Sequence, residues 1–241
     1  MSPFDDANFC FPVQPGLLAN DRVKLTLMTP TRHASAFFHA TSAHPDIYAH
    51  MPSGPFATEA DFVTFLQQKA LADPAFLILA IIDKTQPPSA EDDEGALAGM
   101  MSFFDTSTIH LSTEIGYVVT LPPFRRTHVT TNAVGLMLQY AFTAEADGGM
   151  GLRRVQWKAN SVNAASIRVA QRLGFRDEGL LRWHMVFRDG VQKGKVGNGR
   201  PLPKGSLDGD VGRDTVVLGL CWDEWEGGVR ETVSELMVRT V

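Results

Sequence analysis

The chain has 241 residues, with 27 acidic and 22 basic side chains and a formal charge of -5. This length suits one large domain or at most two small ones, and a composition 44% hydrophobic and 20% charged is that of an ordinary globular protein. The net acidity argues against a general nucleic-acid binder, no apolar run is long enough to span a bilayer, no leader pattern opens the chain, and the two distant cysteines, Cys10 and Cys221, read as free thiols of a reducing cytoplasm.

Residues 1–20 hold Pro3, Pro12, Pro15 and Gly16 without periodicity and read as an arm lying over the surface. From Arg22 to Met28, Val23, Leu25 and Leu27 alternate with polar neighbours, the period of a strand with one wet face. Thr31 is the expected cap of a helix running to about Ala43, and Thr58 with Asp61 predicts a boxed start for a second helix to about Ala72. Between them Met51-Pro-Ser-Gly-Pro-Phe56 is a turn-rich loop. Residues 76–83 and 97–105 are buried strands, joined by an acidic linker, 84–95, expected to be too polar to pack and mobile. A third strand covers 111–120 and stops at Pro122-Pro123. Residues 129–146 carry a broad apolar helical face ended by Gly148 and Gly149, and a strand follows at 154–158. Strands at about 175–187 and 215–221 enclose the glycine- and lysine-rich stretch 190–212, either a flexible flap or a disordered insert. The tail 226–241 has helical spacing at Val229, Val233, Leu236 and Met237, suited to packing on the domain or on a second subunit, so monomer and homodimer both fit.

The most informative stretch is Asn160-Ser-Val-Asn163-Ala-Ala-Ser166-Ile-Arg168-Val-Ala-Gln-Arg-Leu173-Gly174-Phe175. Asn163 stands where an N-cap belongs and Gly174 where a helix stops with φ above zero. This pattern resembles the second signature of the GNAT N-acetyltransferases, N-x-x-N-x-x-S-x-R-x-A-x-x-L-G-F, and most of all the branch containing the ribosomal-protein N-terminal acetyltransferases. The resemblance runs from about Asp21 to Trp225. It implies an α/β fold with a mixed, mostly antiparallel sheet of about seven strands, splayed at the centre and flanked by helices.

It also implies acetyl-CoA as co-substrate, transferred directly to a primary amine on a small molecule or a protein N-terminus, with neither membrane nor nucleic acid as partner. The alternative is a non-catalytic acyl-CoA-binding or scaffold protein on the same fold. In the family a Q/R-x-x-G-x-G/A turn holds the pyrophosphate on helix N-terminal amides, and here it maps onto Arg125, Arg126, Thr127, His128, Val129, Thr130 and Thr131. Arg125 fits; His128 and Thr130 replace the glycines. Side chains there either crowd the backbone or, at Thr130 and Thr131, add hydroxyls; a solvated basic turn is the bland reading of Arg125 and Arg126. Val118, Val119 and Thr120 become the backbone that holds the thioester, with Asn163 and Arg168 also on the cofactor side.

Amine acetylation requires loss of a proton from the ammonium, because an ammonium has no lone pair. The resemblance offers Glu114 as base, direct or through water, or as a structural carboxylate, and Ser166 as the acid for the thiolate or as a capping residue. Strand alternation places Tyr117 on the face opposite Glu114. Met51, Trp183 and His184 are the candidates for the acceptor pocket. No metal is expected: His33, His39, His44 and His50 lack paired spacing, and Asp208-Gly-Asp210-Val-Gly212 fails the calcium-loop pattern beyond its start. Serine-hydrolase, P-loop and dinucleotide motifs do not occur.

Overall fold

A computed structural model describes Phe4 and residues 7–239. The remaining ends of the chain, including Pro3 of the predicted arm, lie outside the described residues. Seven strands form one sheet in the order β1-β2-β3-β4-β5-β7-β6. They are β1 (Val23–Leu27), β2 (Leu77–Asp83), β3 (Ala96–Ser107), β4 (Ser112–Thr120), β5 (Arg154–Asn160), β6 (Arg176–Phe187) and β7 (Val211–Cys221). All neighbours are antiparallel except β4 and β5. The expected mixed, mostly antiparallel architecture is present.

The unbroken apolar run of β2 reflects burial on both faces. Leu77, Leu79 and Ile81 enter one core with Tyr140, Met137 and Trp225, while Ile78, Ala80 and Ile82 enter another with Phe37, Phe62 and Leu66. The helices therefore lie in two layers. α1 (Ser35–Ser42) and α2 (Glu59–Leu66) supply the second core, and α3 (Val129–Phe142) with α6 (Arg230–Val238) the first. α4 (Ala164–Arg172) contributes Ala170 to the first core, and the short α5 (Trp222–Glu224) leads into α6.

Local signals place most helix ends. Thr58 Oγ1 accepts from Asp61 N, and Asp61 returns the bond to Thr58 N, so α2 starts with its capping box. Gly174, at φ 94°, ends the α4 region. The first helical region differs from expectation: it starts at Pro30 with a π turn, and Thr29 rather than Thr31 is the boundary residue. There the Thr29 N–H donates to His33 Nδ1 at 3.1 Å, which ties the boundary residue to the first turn, while among the described residues no side chain caps the helix amides.

Three segments are more tightly held than their composition predicts. In the 84–95 linker, Asp92 is buried and pairs with Lys24 at 2.9 Å, while Glu94 binds both Lys24 and Lys84. The linker thus packs through ion pairs instead of apolar contacts. Residues 190–212 are tied to the loop after α1: Lys195 Nζ donates to the carbonyls of Tyr48, Met51 and Ser53 at 2.9, 2.8 and 2.9 Å. The Val196 N–H donates to Ala49 O, and its carbonyl accepts from Asn160 Nδ2. This segment lies as a strap behind the loop and does not line the central cavity. The arm also packs: Phe11 and Leu18 enter the first core, and Tyr140 Oη donates to Pro12 O. The tail forms α6 and lies on the domain, with Met237 against Gly135 and Asn132 Nδ2 donating to Met237 O. Both cysteines are free.

Candidate active site

The parallel ladder between β4 and β5 is only three pairs long, Ser112 with Arg154, Thr113 with Val155 and Glu114 with Gln156. Beyond Glu114 the strands part. The edge groups of 115–120 on that side consequently meet a cavity instead of a neighbouring strand. The cavity has a volume of about 940 Å³ and is lined by both parted strands, the turn before α3, one face of α4, and the 47–52 loop.

At one end of the cavity is the turn 125–131. Arg126 adopts φ 61°, and Arg125 Nε donates to Thr120 O, folding the turn back on the end of β4. The two side chains that stand in place of glycines turn aside. His128 Nε2 lies 3.2 Å from Asp83 Oδ1, and Thr130 Oγ1 lies 2.8 Å from Thr120 Oγ1. Among the described residues no hydrogen bond is found for the backbone N–H groups of His128, Thr130 and Thr131. They form an anion-receptive helix start. Arg126, Arg172 and Arg239 add positive charge to the same wall, and Arg172 donates to Thr131 Oγ1 at 2.9 Å.

At the middle sits Glu114, only 2% exposed. Lys158 Nζ is 2.7 Å from its Oε2, and Gln156 Nε2 donates to the same oxygen at 3.3 Å. Burial pushes the carboxyl up to about 7, against the opposing pull of Lys158. Tyr117 has φ 51° at a β-bulge, where the β3–β4 register jumps from Met100–Val119 to Ser102–Gly116. The extra residue swings the ring onto the face shared by Glu114 and Phe104, where it packs against Phe65, Phe76 and Phe104. Simple alternation put Tyr117 on the opposite face; the bulge overturns that reading. Burial raises its phenol, and Glu114 adds to the rise.

At the other end lie His50, Met51, Pro52, His184, Met185 and Arg213. A family model described as an acetyltransferase (GNAT) domain matches residues 22–176, well over half of the chain. The chain belongs to the GNAT acetyltransferases.

The solved structures it is similar to agree with that family. A GCN5-related N-acetyltransferase from Brucella melitensis is 25% identical, with a TM-score of 0.70 over 92% of this chain and 85% of that one. A probable GNAT-family acetyltransferase from Chromobacterium violaceum is 26% identical, with a TM-score of 0.69 and 94% of each chain covered. Mycobacterium smegmatis RimJ, solved in complex with CoA-disulfide, is 17% identical with a TM-score of 0.63 over 88% of each chain, a likeness of fold. Among curated proteins, none matches.

In this GNAT chain the cavity gathers Glu114, Val118, Thr120, Arg125, Arg126, Thr127, His128, Thr130, Thr131, Asn163, Ser166, Met51 and His184 from the sequence-predicted set. Four members stand elsewhere. The side chains of Val119 and Val129 are buried in the two cores, because the strand and helix direct them away from the splay. Arg168 is exposed; the α4 face that reaches the cavity carries Ala165, Ser166, Val169 and Arg172 instead. Trp183, at φ 54°, lies against Gly212, leaving His184 and Met185 to face inward.

Asn163 caps α4 by accepting from Ser166 N at 3.1 Å. Ser166 itself makes no reciprocal box; its Oγ accepts the Trp157 indole N–H at 2.9 Å. The first Asn of the signature, Asn160, anchors the 190–212 strap and caps the Val162 N–H. Lys158, Arg172, Arg239, His50, Arg213 and Lys195 were missed. For Lys158 a signal was present: Arg154, Gln156 and Lys158 are the polar set of an alternating strand. Among the described residues no helix is long and apolar enough to cross a membrane.

Proposed function

We propose that the protein is an acetyl-CoA-dependent N-acetyltransferase that acetylates a primary amine, on a small molecule or a protein N-terminus, by direct attack in a ternary complex. The observation that carries this reading is one cavity leading from the unpaired amides before α3, along the strand edges freed beyond Glu114, to that buried carboxylate. The His128, Thr130 and Thr131 amides, with Arg126 and Arg172 beside them, receive the pyrophosphate. Because His128 and Thr130 point their side chains at Asp83 and Thr120, their replacement of glycine leaves the backbone open to the anion. The pantetheine amides add to the edge of β4 past the end of the ladder, and the backbone at Val118 to Thr120 polarises the thioester carbonyl.

Glu114 is the base. With its proton affinity near 7, it is part ionised at neutral pH and matched to taking a proton from the incoming ammonium. Lys158 holds the ionised form in place. The amine nitrogen then bonds to the carbonyl carbon, the C–S bond breaks, and the CoA sulfur leaves with its electron pair. Ser166 uses a lone pair to accept from Trp157, so its hydroxyl can pass its proton to that sulfur and take in its place the second proton released by the acetylated nitrogen.

The test is acetyl-CoA-dependent thiol release across an amine panel, with Glu114→Gln beside the wild type. Turnover that collapses in the variant while acetyl-CoA still binds supports the assignment. Tight binding without turnover on any amine overturns it in favour of an acyl-CoA-binding protein.

A further inference from the structure

The buried charges of this molecule are almost all compensated. Asp92 has Lys24, Glu114 has Lys158, Asp210 has Arg188, Asp214 has Arg200, Asp83 accepts from the Thr85 N–H and hydroxyl, and Lys195 has three carbonyls. Arg213 is the exception. It is 4% exposed, yet among the described residues no carboxylate lies within ion-pair distance of it. Its recorded hydrogen bond is a long one, from Nη1 to His50 O at 3.4 Å, and its Nε is buried without a partner. The Phe187 ring, 5.9 Å from Cζ, gives partial compensation only. A buried guanidinium left in this state is costly, whereas one that receives an anion in two parallel bonds is among the stronger contacts a protein makes.

The position of Arg213 gives its unpaired guanidinium a meaning. In the β6–β7 register it stands opposite Met185, and both line the acceptor end of the cavity. His50 and His184 line the same end; burial and the neighbouring guanidinium hold both imidazoles below their ordinary value, so neither brings negative or strong positive charge. His50 Nδ1 is a second buried nitrogen there without a partner. The other charged or titratable groups facing Arg213 are Glu114, which is engaged by Lys158, and Tyr117. We propose that Arg213 is the specificity determinant of the acceptor end, receiving an anionic group, carboxylate or phosphate, carried by the same molecule whose amine is acetylated.

The inference rests on the acetyltransferase reading and narrows it from amines in general to amines that bear an anion. A polycation is disfavoured, because it brings like charge to an uncompensated guanidinium. Planar two-point recognition also distinguishes arginine from lysine at this position.

The test compares paired acceptors: amino acids against their decarboxylated amines, and phosphoethanolamine against ethanolamine. Thiol release from acetyl-CoA is measured for wild type, Arg213→Gln and Arg213→Lys. The expected result is a preference of about tenfold or more in kcat/KM for the anionic member of a pair, since a site built for a polar group discriminates strongly against its absence. Arg213→Gln removes the preference because the anionic member loses far more in kcat/KM than its neutral partner, and Arg213→Lys restores part of it. The pair that shows the preference separates carboxylate from phosphate. A binding arm runs beside it: melting temperatures with each acceptor in the presence of CoA, where only anionic members raise the wild type and none raises Arg213→Gln. Equal use of both members, preference for a polyamine, or a preference that survives Arg213→Gln overturns the proposal, as does the absence of any melting shift with every anionic member. Failure of the acetyltransferase reading is distinguishable, because it shows as no acetyl transfer to any amine while the binding arm still reports on Arg213.

Discussion

The two ends of the cavity are built on different principles. At the end assigned to the cofactor, backbone predominates: the helix-start amides of His128, Thr130 and Thr131 and the strand edge of 115–120 border the space, and side chains such as His128 and Thr130 fold back on their own scaffold. At the acceptor end, side chains from remote segments converge, and two buried cations hold the loop that carries His50, Met51 and Pro52. Lys195 gathers the Tyr48, Met51 and Ser53 carbonyls, and Arg213 reaches that of His50. A site made of backbone tolerates side-chain exchange, whereas a site made of converging cations depends on each of them. On the proposed reading, this is how a phosphate turn without the glycines of the family motif stays open to the anion.

Substitutions at either end and between them should separate in effect. The largest loss is expected at Glu114→Gln, between the two ends: kcat falls by about 100-fold or more, the usual worth of a positioned base. Acetyl-CoA affinity, read by calorimetry, stays within about twofold because Glu114 lies past the pyrophosphate turn. The same variant changes the pH profile of stability. Since burial raises the folded-state carboxyl to about 7, its contribution is complete below the ordinary value of 4.5 and is lost as pH climbs through about 7. Melting curves of wild type should therefore decline over that window relative to Glu114→Gln. Lys195→Met comes next: three carbonyls lose a charged donor, and KM for the acceptor rises by about tenfold with acetyl-CoA affinity unchanged. Asn163→Ala, at the cofactor end, removes the α4 cap, costs about 1 kcal/mol and lowers the melting temperature by about 2–4 °C. Thr130→Ala should be the mildest, within about threefold in acetyl-CoA affinity, because its hydroxyl is spent on Thr120 and the proposed anion contact is its amide. A large effect at Thr130 and none at Lys195 would invert the comparison.

The cofactor end was also the more legible in sequence, for the same physical reason. Asn163, Ser166 and Gly174 act within or at the ends of one nine-residue helix, so their spacing alone encodes cap, face and stop. The Pro122-Pro123 break and the apolar face of α3 likewise announce a strand-to-helix turn. What depended on partners distant in sequence was not legible. Lys158 meets Glu114 only because three residue pairs bring β4 and β5 together, and Lys195 meets Tyr48 across 147 positions of sequence. Tyr117 was misplaced because one extra bulge residue reverses alternation, and Arg168 because the helix face turned toward the cavity was Val169 and Arg172. The strap 190–212 read as loose because its glycines and lysines resemble solvent-exposed sequence, when one of those lysines is only 8% exposed.

Protonation offers a finer probe of the region where the ends meet. For wild type, kcat/KM should rise with pH to an inflection near 7 as Glu114 ionises. In Lys158→Met the cation that favours the ionised form is gone, so the inflection moves to higher pH.

The central claim is that the space opened between β4 and β5 holds acetyl-CoA, and a calorimetric titration of acetyl-CoA into wild type and Asn163→Ala tests it most directly. The account predicts one site with a Kd on the order of micromolar, corresponding to about 8 kcal/mol, weakened several-fold by the loss of the Asn163 cap. Absence of binding to the wild-type protein would contradict it.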